Sequence, residues 1–396
     1  MKILFVNEKC GYFGGVELNV AQVAETLRAR GHQCFLAYGS ETDRDAGGYA
    51  GLFDGSFGCV DLAAPAGPAA TPFGRIMAQV TPDVVYLHKV PDLQFYEPFF
   101  SRTRTVRMVH DHDLCCPRRH KYYTIGNGIC RHRAGWRCWL DGAFLARSSA
   151  GLTWVSIPGR LREMRRNHRL DRVLVASRFM REELVQNGFS PEKVRVFPYA
   201  IRLKPCVLSD VPRERRVLYA GQLIYGKGVD LLLRALQMVK CEFCATIVGT
   251  GNAQAQLLAL CHRLGLSDKV EFKGWVGHQG IEAYYSSARV LAVPSRWAEP
   301  FGFIGLEAMH HGRPVVGFDV GGISDWLEPD VTGLLVAEQD VPALARAVER
   351  LLTDDKLASA LGRNAYARVR ARFSFDQYIA DMESHLRGEE PPARPA

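Results

Sequence analysis

A chain of 396 residues, 47% apolar and 23% charged, is long enough for two or three domains with cores of their own and has the composition of an ordinary globular protein. No apolar run approaches the roughly 18 residues that span a bilayer, which argues against a transmembrane helix. The opening MKILFVNEKCG is too short for an export signal, so the expected location is the cytoplasm. The net charge of +8 is uneven: residues 101–172 hold 16 Lys/Arg against 5 Asp/Glu, and the rest of the chain is slightly acidic.

In chain order, KILFVN (Lys2–Asn7) reads as a strand. A glycine-rich turn, FGGVE, and a helix from about Val16 to Arg30 follow it. Further strands are read at QCFLAY, VVYLHK, RTVRMVH, RVLVAS and VRVFPYA. Short runs of β-branched residues alternating with helical patterns indicate a parallel sheet covered on both faces. The Gly-, Ala- and Pro-rich stretch Ala63–Pro72 reads as a surface loop, and the proline-interrupted Arg202–Arg215 as a boundary.

The rhythm restarts beyond that boundary. RVLYAG, a helix from Gly228, FCATIVG, a helix from Ala253, VEFKG, a helix around Ile281, RVLAVPS, the EPFG helix and RPVVGF succeed one another. Three helical segments follow Asp340, and the tail EEPPARPA reads as disordered. The resulting expectation is an α/β protein of two domains, residues 1–200 and 201–374, each built on a parallel sheet, followed by a helix over 375–388.

The eleven cysteines form no regular framework and are read as reduced thiols. Cys241 and Cys244 make a CxxC inside a strand pattern, where packing is the simpler role. Cys115, Cys116, Cys130 and Cys138, with His112, His120 and His132, are the one group with zinc-ligand chemistry. Their spacing matches no zinc pattern, so no metal is assigned. The basic run Gly159–Arg172 reads either as a solvated helical face or as a contact for an anionic membrane surface or phosphate-bearing acceptor. Nucleic acid is disfavoured, because stacking aromatics are not interleaved with its arginines.

Four segments of the second half converge on one ligand type. In EPFGFIGLE, Pro300 suits a first helical turn, and Gly302 and Gly305 permit close backbone approach. The helix start offers N–H groups and a positive dipole end to a phosphate. Glu307 suits a sugar diol, and Glu299 the group beyond the phosphates. GQLIYGKGVD brings Lys227, whose ammonium neutralises a diphosphate, onto the turn after Gly221. VGTGN, with Gly249, and DVGGISDW, with Gly321 and Gly322, add two further glycine turns at strand ends.

These residues, in this order, resemble the retaining family-4 glycosyltransferases of GT-B fold, which implies two Rossmann-like domains with parallel sheets facing a central cleft and a helix over 375–388 that returns to the first domain. The resemblance runs from Gly14 to the terminal helix and is most specific between Gly221 and Val336. It implies that Glu307 binds the ribose of a nucleoside diphosphate sugar, that Glu299 lies beside the transferred sugar, and that the amides of Phe301, Gly302, Phe303 and Ile304 hold sugar and phosphates. It implies that Lys227 clamps the diphosphate, that Gly14 and Gly15 sit against the phosphates, and that His110 faces the donor sugar. Glu299, Lys227 and His110 are thus the catalytic candidates. Asp111, Arg118 and Arg119, after the same strand as His110, are candidates for the acceptor.

The sequence departs from the family at Gln222, where an arginine is usual, and Arg296 is a candidate replacement cation. The expected reaction is sugar transfer to an acceptor hydroxyl with retention, without cofactor or metal, in polysaccharide, lipopolysaccharide or glycolipid synthesis. The enzyme is expected to dock peripherally on the inner face of the membrane through the basic 101–172 segment. A sugar-nucleotide epimerase and a catalytically weak scaffold are the alternatives. A nicotinamide dehydrogenase is disfavoured, because GYFGG and GTGNAQ lack the spaced third glycine.

Overall fold

The computed structural model describes residues 1–58, 71–90, 93, 94, 96–123, 128–148, 151–200, 202 and 208–392. The chain divides into two compact units: Met1–Arg119 with Arg131–Arg202 and Phe375–Ala396, and Leu203–Ser374 with His120–Cys130. The segment His120–Cys130 therefore belongs with the second unit, although its chain neighbours on both sides belong to the first.

The first unit holds strands β1 (Lys2–Cys10), β2 (Gln33–Glu41), β3 (Gly55–Gly58), β4 (Val84–Leu87), β5 (Arg104–Val109), β6 (Leu145–Ser148), β7 (Gly151–Trp154), β8 (Arg172–Val175) and β9 (Val194–Val196). Seven form one parallel sheet in the order β3-β2-β1-β4-β5-β8-β9, and β6 and β7 pair as a separate antiparallel hairpin. β4 and β8 are buried along their whole length, as the apolar runs Val84–Leu87 and 173–175 require of strands covered on both faces, Arg172 at the start of β8 being buried by its own partners. Leu4, Val6, Leu87, Val109 and Val175 meet Phe73 and Met180 from the flanking helices in one core.

The second unit repeats the plan with β10 (Arg216–Ala220), β11 (Cys244–Val248), β12 (Val270–Gly274), β13 (Val290–Val293), β14 (Val315–Phe318) and β15 (Gly333–Val336). The order is β12-β11-β10-β13-β14-β15, all parallel. Both sheets change direction of growth once, at β1/β4 and at β10/β13. The turns leaving the two central strands diverge there and open a crevice at the carboxyl edge, the usual ligand position in such sheets.

The helix Phe375–Arg387 packs on the first unit. Tyr378 stacks on Phe197 with ring centroids 4.5 Å apart, and Glu383 Oε1 lies 2.8 Å from His32 Nε2. Arg172 donates to His385 Nδ1 at 2.8 Å and to the Glu389 carbonyl at 2.7 Å, while Arg172 and Arg195 both pair with Glu390. The start of the segment read as a disordered tail is thus anchored; residues 393–396 lie outside the described residues, as do 63–70 of the expected surface loop and 203–207 of the expected boundary. Thr71 and Pro72, at the end of that loop, instead cap and open the helix Pro72–Val80. No helix among the described residues is long and apolar enough to cross a membrane.

Candidate functional site

The best-formed constellation lies where β10 and β13 separate. After β10 the chain turns through Tyr225–Lys227, a single 3-10 turn; after β13 it runs through Pro294 to Gly302 before the helix Phe303–His310. Adjacent strands thus deliver residues 72 positions apart to one point: Lys227 Nζ donates to Glu299 Oε1 at 2.6 Å. The Ser295 hydroxyl donates to the same oxygen at 2.5 Å, and the Lys227 ammonium also lies 4.9 Å from the centre of the Trp297 ring. Burial pushes the Glu299 carboxyl up, but the Lys227 charge and hydrogen bonds from Lys227, Ser295 and Trp297 outweigh it and hold Glu299 below the usual carboxylate range. Glu299 is therefore an anion in contact with a cation.

The helix begins later than the sequence implies. Pro300 is not in its first turn; Gly302, at φ 98°, is the residue before the helix, which starts at Phe303. Phe303 and Ile304 are half-buried and form that first turn, whose N–H groups have no acceptor within the helix itself. Phe301 belongs to the core, and its carbonyl accepts the Trp326 indole N–H at 2.6 Å. Glu307, one turn further on, is partly buried and touches neither Lys227 nor Glu299. It accepts the Tyr285 hydroxyl at 2.6 Å, and burial pushes its carboxyl up to about 7 despite that bond.

Two of the glycines answer a different demand from the expected close approach of a ligand. A Cβ on Gly305 would fall 2.0 Å from the Trp326 ring. Gly321, at φ 60°, would place a Cβ 2.2 Å from the Glu299 carbonyl oxygen, and the next amide, Gly322 N–H, donates to that oxygen at 2.7 Å. The GG turn thus grips the backbone of the glutamate it follows in sequence. Gly249 packs in the same manner on the Gly221 carbonyl.

Gln222 is exposed on the turn after β10, and its carbonyl accepts the Tyr219 hydroxyl at 2.9 Å. Arg296 does not take over the missing cation. Its guanidinium is 3% exposed and clasps both Asp230 oxygens at 2.8 Å, donates to the Tyr225 carbonyl at 2.6 Å and lies 4.0 Å from the Tyr225 ring centre. Its charge is spent on fixing the turn that carries Lys227.

In the first unit, Gly14 precedes the helix Gly15–Ala29, and its N–H donates to Glu17 Oε2 at 3.0 Å. A buried carboxylate therefore already occupies the Gly14 amide. His110 follows β5, with Nε2 2.9 Å from His88 Nδ1 and Nδ1 2.5 Å from the Tyr199 hydroxyl. Burial, reinforced by His88, Lys89 and Arg107, drives the His110 pKa well below its ordinary value, and burial takes His88 down to about 3. Both rings are neutral at physiological pH, and both His110 nitrogens face protein partners. Asp111 accepts the Asp113 N–H at 2.8 Å. Arg118 and Arg119 are half-buried, Arg119 with φ 65°.

Among the described residues no group of three or more His, Cys, Asp or Glu is placed to hold a metal ion, and all the described cysteines are free. Cys115 Sγ lies 3.6 Å from His112 Nδ1, while Cys138 Sγ faces the Gly135 amide. Cys241 and Cys244 are half-buried thiols, and Cys244 contacts Glu214.

The family model of Glycosyltransferase Family 4 matches residues 13–204, and that of Glycosyl transferases group 1 matches residues 208–368. The chain belongs to glycosyltransferase family 4. An uncharacterised glycosyltransferase of Methanocaldococcus jannaschii is 35% identical over 165 residues, which cover 41% of this chain and 42% of the relative. The D-inositol 3-phosphate glycosyltransferase of Xylanimonas cellulosilytica is 33% identical over 233 residues, 54% of this chain and 55% of the relative. Each match spans about half of the curated relative or less. In fold, this family-4 chain is similar to HepE of Anabaena, crystallised with UDP and glucose, at a TM-score of 0.74 and 20% identity over 98% of this chain and 100% of that one. Two parallel-sheet Rossmann-like units with GT-B neighbours are the fold that the resemblance implied.

Sequence reasoning passed over several residues that contact the candidates in this family-4 chain: Ser295, Trp297, Tyr285 and Asp230 in the second unit, and Tyr199 and His88 in the first. For Ser295 and Trp297 a signal was present, since both lie within four residues of Glu299 in the same strand-end loop. Nothing in the sequence pairs Tyr285 with Glu307 or Tyr199 with His110.

Proposed function

We propose that the protein is a retaining glycosyltransferase that moves a sugar from a nucleoside diphosphate sugar to an acceptor hydroxyl, without a metal, in the synthesis of a polysaccharide, lipopolysaccharide or glycolipid. The observation that carries this reading is the Lys227–Glu299 contact at 2.6 Å beside a helix start whose fifth residue is Glu307. An ammonium, a set of oriented amides and a carboxylate for a diol are the groups a diphosphate-linked sugar presents a need for. HepE, which shares the fold, is crystallised with UDP-glucose, which supports a donor of this chemical class.

In the reaction the C1–O bond to the diphosphate breaks and the acceptor oxygen bonds to C1 on the same face. The acceptor proton leaves with the departing diphosphate. Charge grows on the leaving oxygens, and Lys227 with the Phe303–Ile304 amides stabilises it there more strongly than in the ground state. Glu299 lies beside the sugar as an electrostatic and hydrogen-bonding partner. Phe301, Gly302 and Gly249 shape the donor seat, and Gln222 contributes a neutral donor. In the first unit the same reading gives Gly14 and Gly15 the phosphates, His110 the sugar, and Asp111, Arg118 and Arg119 the acceptor. For Gly14 to serve in this way, its amide must first be released by Glu17.

The test is a thermal-shift screen of nucleoside diphosphates and their sugars, followed by turnover with the stabilising donor after treatment with chelator. NMR of the product reads the anomer. Stabilisation by one base family, chelator-resistant turnover and a retained anomer support the reading. No stabilisation by any nucleoside diphosphate overturns it.

A further inference from the structure

Among the described residues of the first unit, four of the five large apolar side chains that lie exposed fall in a stretch that donor chemistry leaves unused, the fifth being Phe13. Trp136 is 69% exposed, Trp139 48%, Leu140 76% and Trp154 79%. Isolated exposed apolar residues are ordinary, but a contiguous group marks a contact surface. These are contiguous: the Phe144 ring stacks on Trp139 at 5.8 Å and on Trp154 at 5.4 Å, joining the short helix Arg137–Leu140 to the end of the β6–β7 hairpin.

Cations frame the same surface. Arg131, Arg133 and Arg137 are exposed, and Arg137 lies 5.6 Å from the Trp136 ring centre. With His132, Trp136 and Gln186 they line a pocket of about 410 Å³. Asp141 is the sole acidic residue between Arg131 and Trp154.

We propose that this face docks the protein on an anionic membrane: Trp136, Trp139, Leu140 and Trp154 enter the boundary between headgroups and acyl chains, and Arg131, Arg133 and Arg137 hold lipid phosphates. Tryptophan, with an apolar body and one N–H, partitions to that boundary. The arginine fork matches a phosphate, and a basic surface gains attraction from an anionic leaflet. A glycan platform needs carboxylates or amides around its rings for sugar hydroxyls, whereas here one carboxylate, Asp141, and one amide, Gln186, stand against three arginines and Leu140. The inference goes beyond the donor reading and needs neither nucleotide nor turnover.

The experiment is flotation of the full chain with phosphatidylcholine vesicles, with or without phosphatidylglycerol, and tryptophan quenching by brominated acyl chains. Wild-type protein floats with the anionic vesicles, and its tryptophans are quenched, also in a W275F background that removes the exposed Trp275. The variant W136S/W139S/L140S/W154S loses the quenching and partitions more than roughly ten-fold less. Each of R131Q, R133Q and R137Q costs about five-fold at low salt. Thermal unfolding checks the variants; should the quadruple change unfold the protein, quenching of the wild type decides alone. Protein left in the aqueous fraction, flotation without quenching, or protection of the tryptophans from acrylamide by soluble oligosaccharide or RNA but not by vesicles would overturn the proposal.

Discussion

Glu299 accepts the Lys227 ammonium and the Ser295 hydroxyl on one carboxylate oxygen, Oε1. The cation proposed to meet a diphosphate is thus already partnered within the protein itself. An incoming phosphate joins an existing ion pair instead of filling a bare positive site, and the pair holds both groups in place beforehand.

Lys227→Met should therefore have two separable effects. Loss of the charged hydrogen bond to the diphosphate weakens nucleoside diphosphate binding by about 1.5–3 kcal/mol, read by calorimetry. Loss of the pair leaves Glu299 buried and uncompensated, at about 3 kcal/mol of stability. Adding Glu299→Gln should recover stability but not binding; recovery of both would remove the lysine from the donor site. The pair also has a pH signature. Glu299 has a folded pKa below its ordinary value, so its contribution is present above about pH 4.5 and is lost as pH falls through the folded value.

Glu307 has the opposite sign. Its carboxyl, ordinarily near 4.5, is raised to about 7 in the fold, so its effect favours folding at low pH and is lost as pH rises through about 7. Accepting a ribose diol requires the ionised form. Nucleotide affinity should rise between pH 6 and 8 in the wild type and stay flat in Glu307→Gln. A 2′-deoxy nucleotide should lose affinity for the wild type and little for the variant. Parallel pH curves for the two proteins would contradict the ribose assignment.

Gly321→Ala places a methyl group against the Glu299 carbonyl at a backbone angle that costs alanine strain. It should destabilise the protein by about 2 kcal/mol or more and lower turnover, since the loop that carries Glu299 must shift. Unfolding midpoints and kcat would both move. Unchanged turnover at reduced stability would show that the loop position is not limiting.

Gln222→Arg tests the missing cation. The position is exposed, so the fold should tolerate it, and a second positive charge should tighten nucleoside diphosphate binding by about 1 kcal/mol or more. Unaltered affinity would mean that Gln222 does not face the diphosphate. Asp230→Asn is the companion: it breaks the buried Arg296 clasp, at about 3–5 kcal/mol of stability, and should weaken binding by loosening the turn before Lys227. Tighter binding in that variant would instead show Arg296 turning to the phosphates.

Much of the second sheet was legible because β10, β11 and β13 are short apolar runs followed by Gly or Pro, whereas β12 alternates Glu271 and Lys273 with its apolar residues and β15 was not read as a strand. EPFGFIGLE was legible as chemistry but not as geometry: a proline before glycines suggested an earlier helix start than Gly302 permits. β3 escaped notice because Gly55–Gly58 has no β-branched residue and is defined by pairing with β2. A glycine announces that something comes close without saying what, which is why Gly321 pointed to a ligand and proved to face Glu299. The Arg296–Asp230 pair joins residues 66 positions apart and has no local signature. The Glu17 contact with Gly14 did have one, an acidic residue three places after the turn, overshadowed by the phosphate reading.

Tyr378, Ile379 and Met382 of the helix Phe375–Arg387 are almost fully buried in the first unit, whose other strands and helices end at Arg202. During synthesis on a ribosome, the amino-terminal unit must therefore wait for some 170 intervening residues, at about 10 residues per second, before its final helix emerges. For that interval it carries a bare apolar strip around Phe197, the natural handle for a chaperone.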